Sequence, residues 1–485
     1  MKRKPGFFLA IVPIVAMLLL LGIGYGVLHL RAEPLLITAA IIAAMIGRSL
    51  GVSWNEMQDG IVEKTAKAMP AILILITVGV LIGTWMLSGT IPLMIFYGIE
   101  LINPSFLLIT AFIVTAVVST FTGTSWGSAG TIGVAIMGIA IVQGVSLPMT
   151  AGAVVAGAYF GDKLSPLSDT TNLAPAAAGS ELYEHIKHML YTSIPAALVG
   201  LIVYFFVGKS ALTGESGNQE KLEMMTTTLS TMFDWNILLI LPVIIVLGGS
   251  VMKYPTIPVM LTSSIVAILL GLGFQGVTLE SAFLASVKGF NVEMMAGSID
   301  PGAIPPEVAN LMNRGGMNSM MSTTLIAFCA FSFAGILSKI GALEVVLAKV
   351  NEKAKSTGSM ILATVLSCVT MAVTTGSSYL SILIPGELFK KVYAERGIHP
   401  KNLSRTLEDS GTVVVPIVPW SLAGVYMSST LGVPVIEYLP WAIMCYVGFI
   451  FAIIFGFTGF SIEKIEKQPN ESREIDQEEQ AQYKI

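Results

Sequence analysis

The residues best suited to chemistry in this chain lie between Gly161 and Pro175, in a short segment rich in carboxyl and hydroxyl groups. Pro166 and Pro175 each lack an amide donor and disfavour helical angles at the preceding residue, so the backbone is expected to leave a regular helix there. Freed carbonyl groups and polar side chains would supply the all-oxygen ligand set that a hard cation such as sodium prefers. The candidate side chains are those of Asp162, Ser168, Asp169, Thr170 and Thr171.

An alternative interpretation makes this segment a short loop outside the membrane, in which Asp169 caps the next helix. The segment follows the longest uncharged run in the chain, however, and unwound backbone at membrane depth is tolerated where it is buried in protein or lines a cavity. The sequence therefore favours a buried cation site over a surface loop.

A second pair of acids, Glu408 and Asp409, precedes another charge-free run, which Pro416 and Pro419 interrupt. Glu408 lies three residues after Arg405, so an ion pair on one helical face is its expected role. Asp409 is the better candidate for the site, because ionisable residues inside a membrane are functional candidates by default.

Buried carboxylates of this kind could exchange ions without further machinery. A carboxyl group of aspartate in water has a pKa of about 3.9, and burial raises the pKa of such a group. Bound sodium stabilises the anion and opposes that effect. A carboxylate that holds either a proton or a sodium ion, and never both, predicts antiport by competition.

A third polar element lies within a long apolar run, at Thr122–Gly130, and its counterpart is Thr374–Ser381. Glycine and hydroxyl residues there predict the tip of a re-entrant hairpin, although Gly123 and Gly127 also fit a G-x-x-x-G helix-packing face. The same residues match the G-x-S-x-G hydrolase motif. That motif needs a strand-turn-helix context and a partner histidine, so no enzymatic activity is predicted.

The elements that position these residues must cross a membrane. Hydrophobic residues make up 54% of the chain and charged residues only 12%, against about 25% charged in soluble domains. Between Glu100 and Asp162, 61 consecutive residues include no Asp, Glu, Lys, Arg or His. One bilayer-spanning helix needs about 20 such residues. The chain is therefore predicted to contact lipid and not nucleic acid.

Two polar stretches divide the chain. They predict a first transmembrane repeat over residues 1–208, a polar connecting loop over 209–233, a second repeat over 234–462 and a disordered charged tail over 463–485. Cys329, Cys368 and Cys445 lie inside apolar runs and are interpreted as buried hydrophobic residues.

The two halves also match at residue level. Thr122–Trp126 corresponds to Thr375–Tyr379 at an offset of 253 residues, and Ser165–Ser168 corresponds to Val415–Val418 at an offset of 250. The order and nearly constant spacing predict a duplicated transporter fold. Inverted repeats of this kind place the substrate site near the membrane midplane, on discontinuous helices.

The start of the chain predicts its orientation. The apolar run over 6–28 is interpreted as an uncleaved first transmembrane helix, since no small-x-small cleavage site follows it. Lys2, Arg3 and Lys4 then place the N-terminus in the cytoplasm by the positive-inside rule. The expected location is the plasma membrane, with multiple passes.

The segment Gly161–Ala174 resembles the signature of the NhaC family of sodium/proton antiporters. Leu407–Thr412 and Val418–Trp420 are similar to the second-half pattern of that family, and the likeness extends from residue 6 to about residue 460. One difference stands at Ser421, because members often carry Asn after the Pro-Trp pair. That difference bears on the substrate more than on the fold.

The resemblance implies an all-α polytopic membrane protein with two inverted-topology repeats, re-entrant hairpins and discontinuous helices. It implies roughly 10 to 13 membrane segments, often in a homodimer. It also implies an ion and substrate site that includes both Gly-Thr/Ser-Ser tips, with Asp162, Asp169 and Asp409 as the Na⁺ ligands. The remaining implied residues are Ser168, Thr170, Thr171, Asn172, Thr124, Ser125, Ser377 and Ser378.

Three functions are open at this point. Sodium/proton antiport without an organic substrate fits the shortage of basic residues at membrane depth, where Lys163 and Lys339 are the plausible exceptions. Sodium- or proton-coupled exchange of an organic anion (malate or lactate) or transport of an amino acid is the alternative, with helix N-termini binding the carboxylate. A membrane-embedded enzyme is the third. No cofactor is expected beyond the transported Na⁺ and H⁺.

Overall fold

A computed structural model describes residues 5–208, 219–295, 304–352 and 354–465. Regular secondary structure in these ranges is helical, apart from an isolated bridge between Ile398 and Lys464. The helices of the first half are α1 Phe7–Leu19, α2 Ala32–Ser49, α3 Trp54–Ser88, α4 Thr90–Leu101, α5 Leu107–Thr122, α6 Ser125–Ser128, α7 Val134–Gln143, α8 Leu147–Leu164, α9 Asp169–Ala178 and α10 Leu182–Gly208.

The second half is built in the same way from helices and short breaks. Its helices are α11 Gln219–Met232, α12 Leu241–Val251, α13 Thr256–Phe274, α14 Leu279–Lys288, α15 Pro306–Met312, α16 Met321–Ile340, α17 Ala342–Glu352, α18 Thr357–Thr375, α19 Ser378–Glu395, α20 Pro400–Gly411, α21 Leu422–Leu431, α22 Val435–Tyr438 and α23 Met444–Thr458.

Some sequence predictions fall outside these ranges. The basic residues at 2–4, the start of the predicted connecting loop at 209–218 and the tail from 466 lie outside the described residues. Within the connecting segment, residues 219–232 form α11. The first three residues of the predicted tail, 463–465, are described and contact the segment that precedes α20 and the start of that helix.

The length and apolar character of the helices confirm a multi-pass membrane protein. In the described ranges nine helices are long and apolar enough to cross a membrane, or up to twelve when each of three bent pairs counts as one span. Large apolar side chains such as Phe8 and Phe206 are 83% and 74% exposed, as lipid-facing residues are expected to be. The three cysteines are buried and free, which confirms their interpretation as small hydrophobic residues.

The helix pair α5 and α8 forms the most extensive contact between two helices and carries the first-half site. Small residues permit a close approach: a Cβ atom on Gly161 would lie 2.1 Å from the carbonyl oxygen of Ala116, and one on Gly157 would lie 2.3 Å from that of Phe112. The Ser119 hydroxyl donates to the Ala158 carbonyl at 2.6 Å across the same contact. This crossing fixes the end of α8 beside the turn that follows α5.

That turn is made by Gly123, which ends α5 with a φ of +68° and precedes α6. This left-handed conformation favours glycine. A Cβ atom on Gly123 would lie 2.6 Å from the Cβ of Leu167, in the break between α8 and α9. The turn and the break therefore pack directly on each other, which confirms the predicted discontinuity at Pro166. The expected departure from a helix at Pro175 is wrong, because Pro175 lies inside α9.

The second half repeats this local arrangement. Gly376 ends α18 with a φ of +63°, and a Cβ atom there would lie 3.1 Å from the Cα of Ser421, in the break between α20 and α21. The helical segments on either side of that break, Pro400–Ile417 and Leu422–Leu431, are bent by 48°. The matched turns agree with the sequence similarity at an offset of 253, while the inverted relation of the two halves stays a prediction.

The G-x-x-x-G interpretation of the first turn is wrong. Gly123 ends α5 and lies outside a helix. A Cβ atom on Gly127 would lie 2.6 Å from the side chain of Thr124 in the same turn, and not against a neighbouring helix. A glycine helix-packing face needs both glycines on one regular helix facing a neighbour. Here the left-handed residue interrupts that helix.

Candidate functional site

Asp162 lies in the last turn of α8 and is 5% exposed. Its Oδ2 accepts a hydrogen bond from the Ser125 hydroxyl at 2.9 Å, and its backbone carbonyl accepts one from the Thr171 hydroxyl at 3.1 Å. Its Oδ1 is buried and has no hydrogen-bond partner among the described residues. The turn and the start of α9 thus both contact Asp162, the turn at its carboxylate and α9 at its backbone carbonyl.

Lys163, the next residue, forms an ion pair with Asp409 of α20. Both side chains are fully buried. The pair joins the first half of the chain to the second and neutralises one of the predicted cation ligands. The second carboxylate oxygen of Asp409 is buried without a hydrogen-bond partner in the described part of the chain.

The predicted ion pair between Glu408 and Arg405 is wrong. The Arg405 guanidinium instead donates to the Ser461 hydroxyl at 2.7 Å, and Glu408 Oε1 accepts from the Thr170 hydroxyl at 3.2 Å. Sequence spacing identifies neighbours along one helix face. α20 is buried on every side, so each of these side chains finds a partner on another element.

Ser168 begins α9 as its N-cap, since its hydroxyl accepts from the Thr171 amide at 3.5 Å. Its hydroxyl also lies 3.2 Å from the Thr170 hydroxyl. The alternative in which Asp169 caps this helix is therefore wrong, because Asp169 is already the first helical residue. Serine is a preferred N-cap because its side-chain oxygen satisfies an otherwise unpaired helical amide.

Asp169 and Asn172 are exposed residues of α9. The Asp169 carboxylate accepts from its neighbouring amide, that of Thr170, at 2.9 Å and from the Tyr379 hydroxyl of α19. The Asn172 amide donates to the carbonyls of Pro166 at 3.0 Å and of Ser168 at 2.6 Å. Asn172 therefore holds the helix break in shape, and Asp169 joins α9 to the second half.

The two glycine turns place their hydroxyl residues differently. Thr124 and Ser377 are N-caps, and they accept from the amides of Gly127 at 3.2 Å and Leu380 at 3.5 Å. Ser125 contacts the Asp162 carboxylate, whereas Ser378 is half-buried at the start of α19.

Ser421 is the N-cap of α21 and accepts from the Gly424 amide at 2.9 Å. Asn is an equally good N-cap, so the difference from the family pattern at Ser421 preserves this role.

The predicted site residues therefore divide into an inner and an outer group. The inner group surrounds the buried carboxylates and consists of Ser125, Asp162, Ser168, Thr170, Thr171 and Asp409. The outer group lies at the two turns or on the exposed side of α9 and consists of Thr124, Asp169, Asn172, Ser377 and Ser378. No three His, Cys, Asp or Glu side chains among the described residues converge on one point in the way a metal centre requires.

Sequence reasoning missed an aromatic contact beside the site. The rings of Trp126 and Tyr426 stack with centroids 4.3 Å apart, and the Tyr426 hydroxyl donates to the Trp126 carbonyl at 2.6 Å. The contact joins the first turn to α21. A single aromatic residue in an apolar run gives no sequence signal for such a partner.

The two histidines of α10 contact the helix that carries the second pair of acids. His185 and His188 are fully buried or nearly so. Their rings contact the Ser404 hydroxyl at 2.9 Å and the Asn402 side chain at 3.2 Å, both on α20. They support the helix that carries Glu408 and Asp409.

Comparison with known proteins identifies the proteins that this chain resembles along most of its length. The model of the Na⁺/H⁺ antiporter family matches residues 157–460. An uncharacterised Na⁺/H⁺ antiporter of Haemophilus influenzae is 51% identical, covering 96% of this chain and 98% of that protein. The Na⁺/H⁺ antiporter NhaC of Alkalihalophilus pseudofirmus is 37% identical, covering 93% and 97%. The malate-2H⁺/Na⁺-lactate antiporter of Bacillus subtilis is 33% identical, covering 94% and 96%.

Proposed function

The chain belongs to the Na⁺/H⁺ antiporter family, and from this premise we propose that Na⁺ and H⁺ compete for the Asp162 carboxylate. The protein is a secondary transporter that exchanges Na⁺ for H⁺ across a membrane. What remains to be assigned is the place of exchange. One observation supports Asp162 over the paired buried acids Glu33 and Asp409: it is buried, and its neighbour Lys163 is engaged by Asp409 and does not neutralise it.

The unpartnered Oδ1 of Asp162 is the proposed primary Na⁺ ligand. The hydroxyls of Ser125, Ser168, Thr170 and Thr171 would complete an oxygen shell around the ion. Asp409 reaches the ion in this proposal when its contact with Lys163 opens. The outer group would contact the ion before it reaches the buried carboxylate. Its members are Thr124, Asp169, Asn172, Ser377 and Ser378.

Competition at one carboxylate gives obligatory exchange. A buried unpaired carboxylate is costly, because its charge has lost its water. The site is therefore occupied either by a proton, which removes the charge, or by Na⁺, which balances it. We propose that the site changes the side of the membrane it faces only when a proton or Na⁺ is bound, and not as a bare carboxylate. Na⁺ movement is then coupled to H⁺ movement in the opposite direction.

The test uses purified protein in liposomes that contain a trapped pH indicator, with no organic solute present. Addition of Na⁺ should change the internal pH for the unmodified protein and for Asp59→Asn, an exposed acid of α3 that serves as the matched control. Asp162→Asn keeps the shape but cannot trade a proton for Na⁺, so the response should vanish. A normal response in Asp162→Asn would place the exchange elsewhere.

A second candidate function is coupled exchange of an organic acid. The similarity to a malate-2H⁺/Na⁺-lactate antiporter favours it, and the buried Lys163 and Arg405 are the cations that could attract an organic anion. Both cations already contact other groups, Asp409 and Ser461. Full-rate Na⁺/H⁺ exchange without any organic solute would exclude an obligatory anion. Exchange that begins only after malate or lactate is added would establish it.

Four further proposals concern the setting of the site. The N-terminus lies in the cytoplasm of a plasma-membrane protein, the protein forms a homodimer, transport needs no resident cofactor, and the chain has no enzymatic activity. Labelling of a cysteine introduced at residue 2 with a membrane-impermeant reagent tests the orientation, and the mass of the protein in detergent tests the dimer. Exchange by chelator-treated protein in a medium of defined salts tests both the cofactor and the enzyme proposals.

A further inference from the structure

We propose that Glu408 is a second proton-exchanging carboxylate of the site, so that each Na⁺ displaces one proton from Asp162 and one from Glu408. This inference rests on the proposed role of Asp162 and extends it to the second half of the chain. It adds to the site an acid that the sequence alone had assigned to an ion pair with Arg405.

The position of Glu408 is the first argument. Its side chain is fully buried on α20, and its Oε1 accepts from the Thr170 hydroxyl of α9 at 3.2 Å. The Thr170 hydroxyl lies 3.2 Å from that of Ser168, the N-cap in the break after Asp162. A hydroxyl chain thus leads from Glu408 to the first-half helix break, which directly follows the last turn of α8, where Asp162 lies.

The balance of buried charge is the second argument. The acids buried in the described part of the chain are Glu33, Asp162, Glu408 and Asp409. Glu33 is paired with Arg31, and Asp409 is paired with Lys163. Asp162 and Glu408 remain, and no described basic side chain forms an ion pair with either. An unpaired buried charge is strongly unfavourable, so each needs a proton or a bound cation.

The free oxygens are the third argument. Oδ1 of Asp162 and Oε2 of Glu408 are both buried and lack a hydrogen-bond partner among the described residues. Buried polar atoms in native proteins nearly always have a partner. A proton on each carboxyl group would remove its charge. One Na⁺ near both would supply the missing partner of the two oxygens, because a single cation attracts two carboxylates that otherwise repel each other.

The charge balance of the exchange follows. With two protons bound, Asp162 and Glu408 are neutral. Na⁺ binding releases both protons and leaves two carboxylates and one cation, a net charge of one minus. The two occupied forms differ by one charge, so the exchange carries net charge and responds to membrane potential. With Asp162 alone, one Na⁺ would replace one H⁺ and the exchange would be electroneutral.

The experiment measures the number of protons exchanged per Na⁺ in liposomes, from the Na⁺ gradient that stops net flux against a fixed pH gradient. The unmodified protein and Glu344→Gln, an exposed acid of α17, should exchange two protons per Na⁺. Glu408→Gln should exchange one and should lose its response to membrane potential. Two protons per Na⁺ in Glu408→Gln, or one in the unmodified protein, would overturn the proposal.

Two further measurements cover a variant that folds but does not transport. Glu408→Asp keeps the carboxyl group and should retain two protons per Na⁺, although with weaker Na⁺ binding. Infrared difference spectra on Na⁺ addition should show two carboxylic acid groups ionising in the unmodified protein and one in Glu408→Gln. Two in both proteins would contradict the inference. Failure of the proposed function is distinct, because the unmodified protein would then show no exchange, or Asp162→Asn would remain active.

Discussion

The Lys163 ammonium group and the Asp409 carboxylate form a fully buried ion pair across 246 residues of sequence. Each partner directly follows one of the two buried acids that lack an ion pair in the described structure, Asp162 and Glu408. Helices α8 and α20 are therefore joined at the level of the site by a neutral pair. The neighbouring carboxyl groups are the ones that we propose to exchange protons for Na⁺.

Lys163→Gln is expected to destabilise the protein by about 3–5 kcal/mol, because it leaves the Asp409 carboxylate buried without its counter-ion. Thermal unfolding of the purified protein in detergent measures the effect. Asp409→Asn should also be destabilising, since Lys163 then loses its partner.

The double variant Lys163→Gln with Asp409→Asn is the control for this prediction. It removes both charges together, so it should be more stable than the sum of the two single effects predicts. Strictly additive losses of stability would contradict a direct interaction between the two side chains.

Ser125→Ala should raise the apparent KM for Na⁺ about 10- to 100-fold. A hydrogen bond to a charged group contributes about 1.5–3 kcal/mol, and about 1.4 kcal/mol corresponds to a factor of ten. The Ser125 hydroxyl contacts the Asp162 carboxylate at 2.9 Å. The measurement is the Na⁺ dependence of the pH change in liposomes.

Ser128→Ala is the matched control for this change. Ser128 is buried in the same turn but donates to the Thr124 backbone carbonyl at 2.9 Å and not to a carboxylate. Its KM for Na⁺ should remain near that of the unmodified protein. Equal effects of the two substitutions would mean that Ser125 acts through packing of the turn.

Gly123→Ala should destabilise the protein more than Gly397→Ala. Both glycines have left-handed angles, with φ of +68° and +65°, so both substitutions cost about 1–2 kcal/mol of backbone strain. A Cβ atom on Gly123 would also lie 2.6 Å from Leu167, whereas none of the described atoms lies within 4 Å of one on Gly397. Midpoints of thermal unfolding should separate the two.

Exchange activity gives the second readout for the same pair. The Cβ atom of Gly123→Ala would collide with Leu167 in the break between α8 and α9. The substitution should therefore slow Na⁺/H⁺ exchange as well. Gly397→Ala, which is remote from the break, should exchange at the normal rate. Slow exchange by Gly397→Ala would show that backbone strain anywhere near α20 is sufficient to slow exchange.

Deletion of residues 461–485 should destabilise the protein and slow exchange, whereas deletion of 466–485 should do neither. Ser461 accepts from the buried Arg405, and Glu463 exchanges backbone hydrogen bonds with the Asn402 side chain at 2.8 and 3.2 Å. The longer deletion removes these hydrogen bonds from α20, and the shorter one keeps all of them. Unfolding midpoints and exchange rates of both proteins would be compared. Equal losses of stability and exchange rate in the two deletions would assign the effect to residues 466–485.

Part of the local structure around the candidate site was predictable because its signals are local. Pro166 removes a backbone donor, and the structure has a helix break at 165–168. Glycine and hydroxyl residues mark the turns at Gly123 and Gly376, and each turn is a left-handed residue followed by an N-cap. That these turns are the tips of re-entrant hairpins stays a prediction. Such features depend on a residue and its immediate neighbours, which a sequence displays directly.

The assignment of the acids was not predictable in the same way. Spacing placed Glu408 beside Arg405 and left Asp409 for the cation site. The structure pairs Asp409 with Lys163 and places Glu408 against Thr170. On a helix exposed to water the i,i+3 neighbour is often the nearest charge. On a helix buried on all sides, groups from other elements compete for each side chain.

The sequence by itself determined that the chain crosses a membrane many times, that helices break near Pro166 and Pro419, and which segments carry the polar groups. Charge-free runs, prolines and glycines fix those features through desolvation and backbone geometry, which act locally. Only the tertiary structure decided which acids are neutralised. An ion pair between residues 246 positions apart forms because α8 and α20 pack together, and that packing is a property of the whole fold.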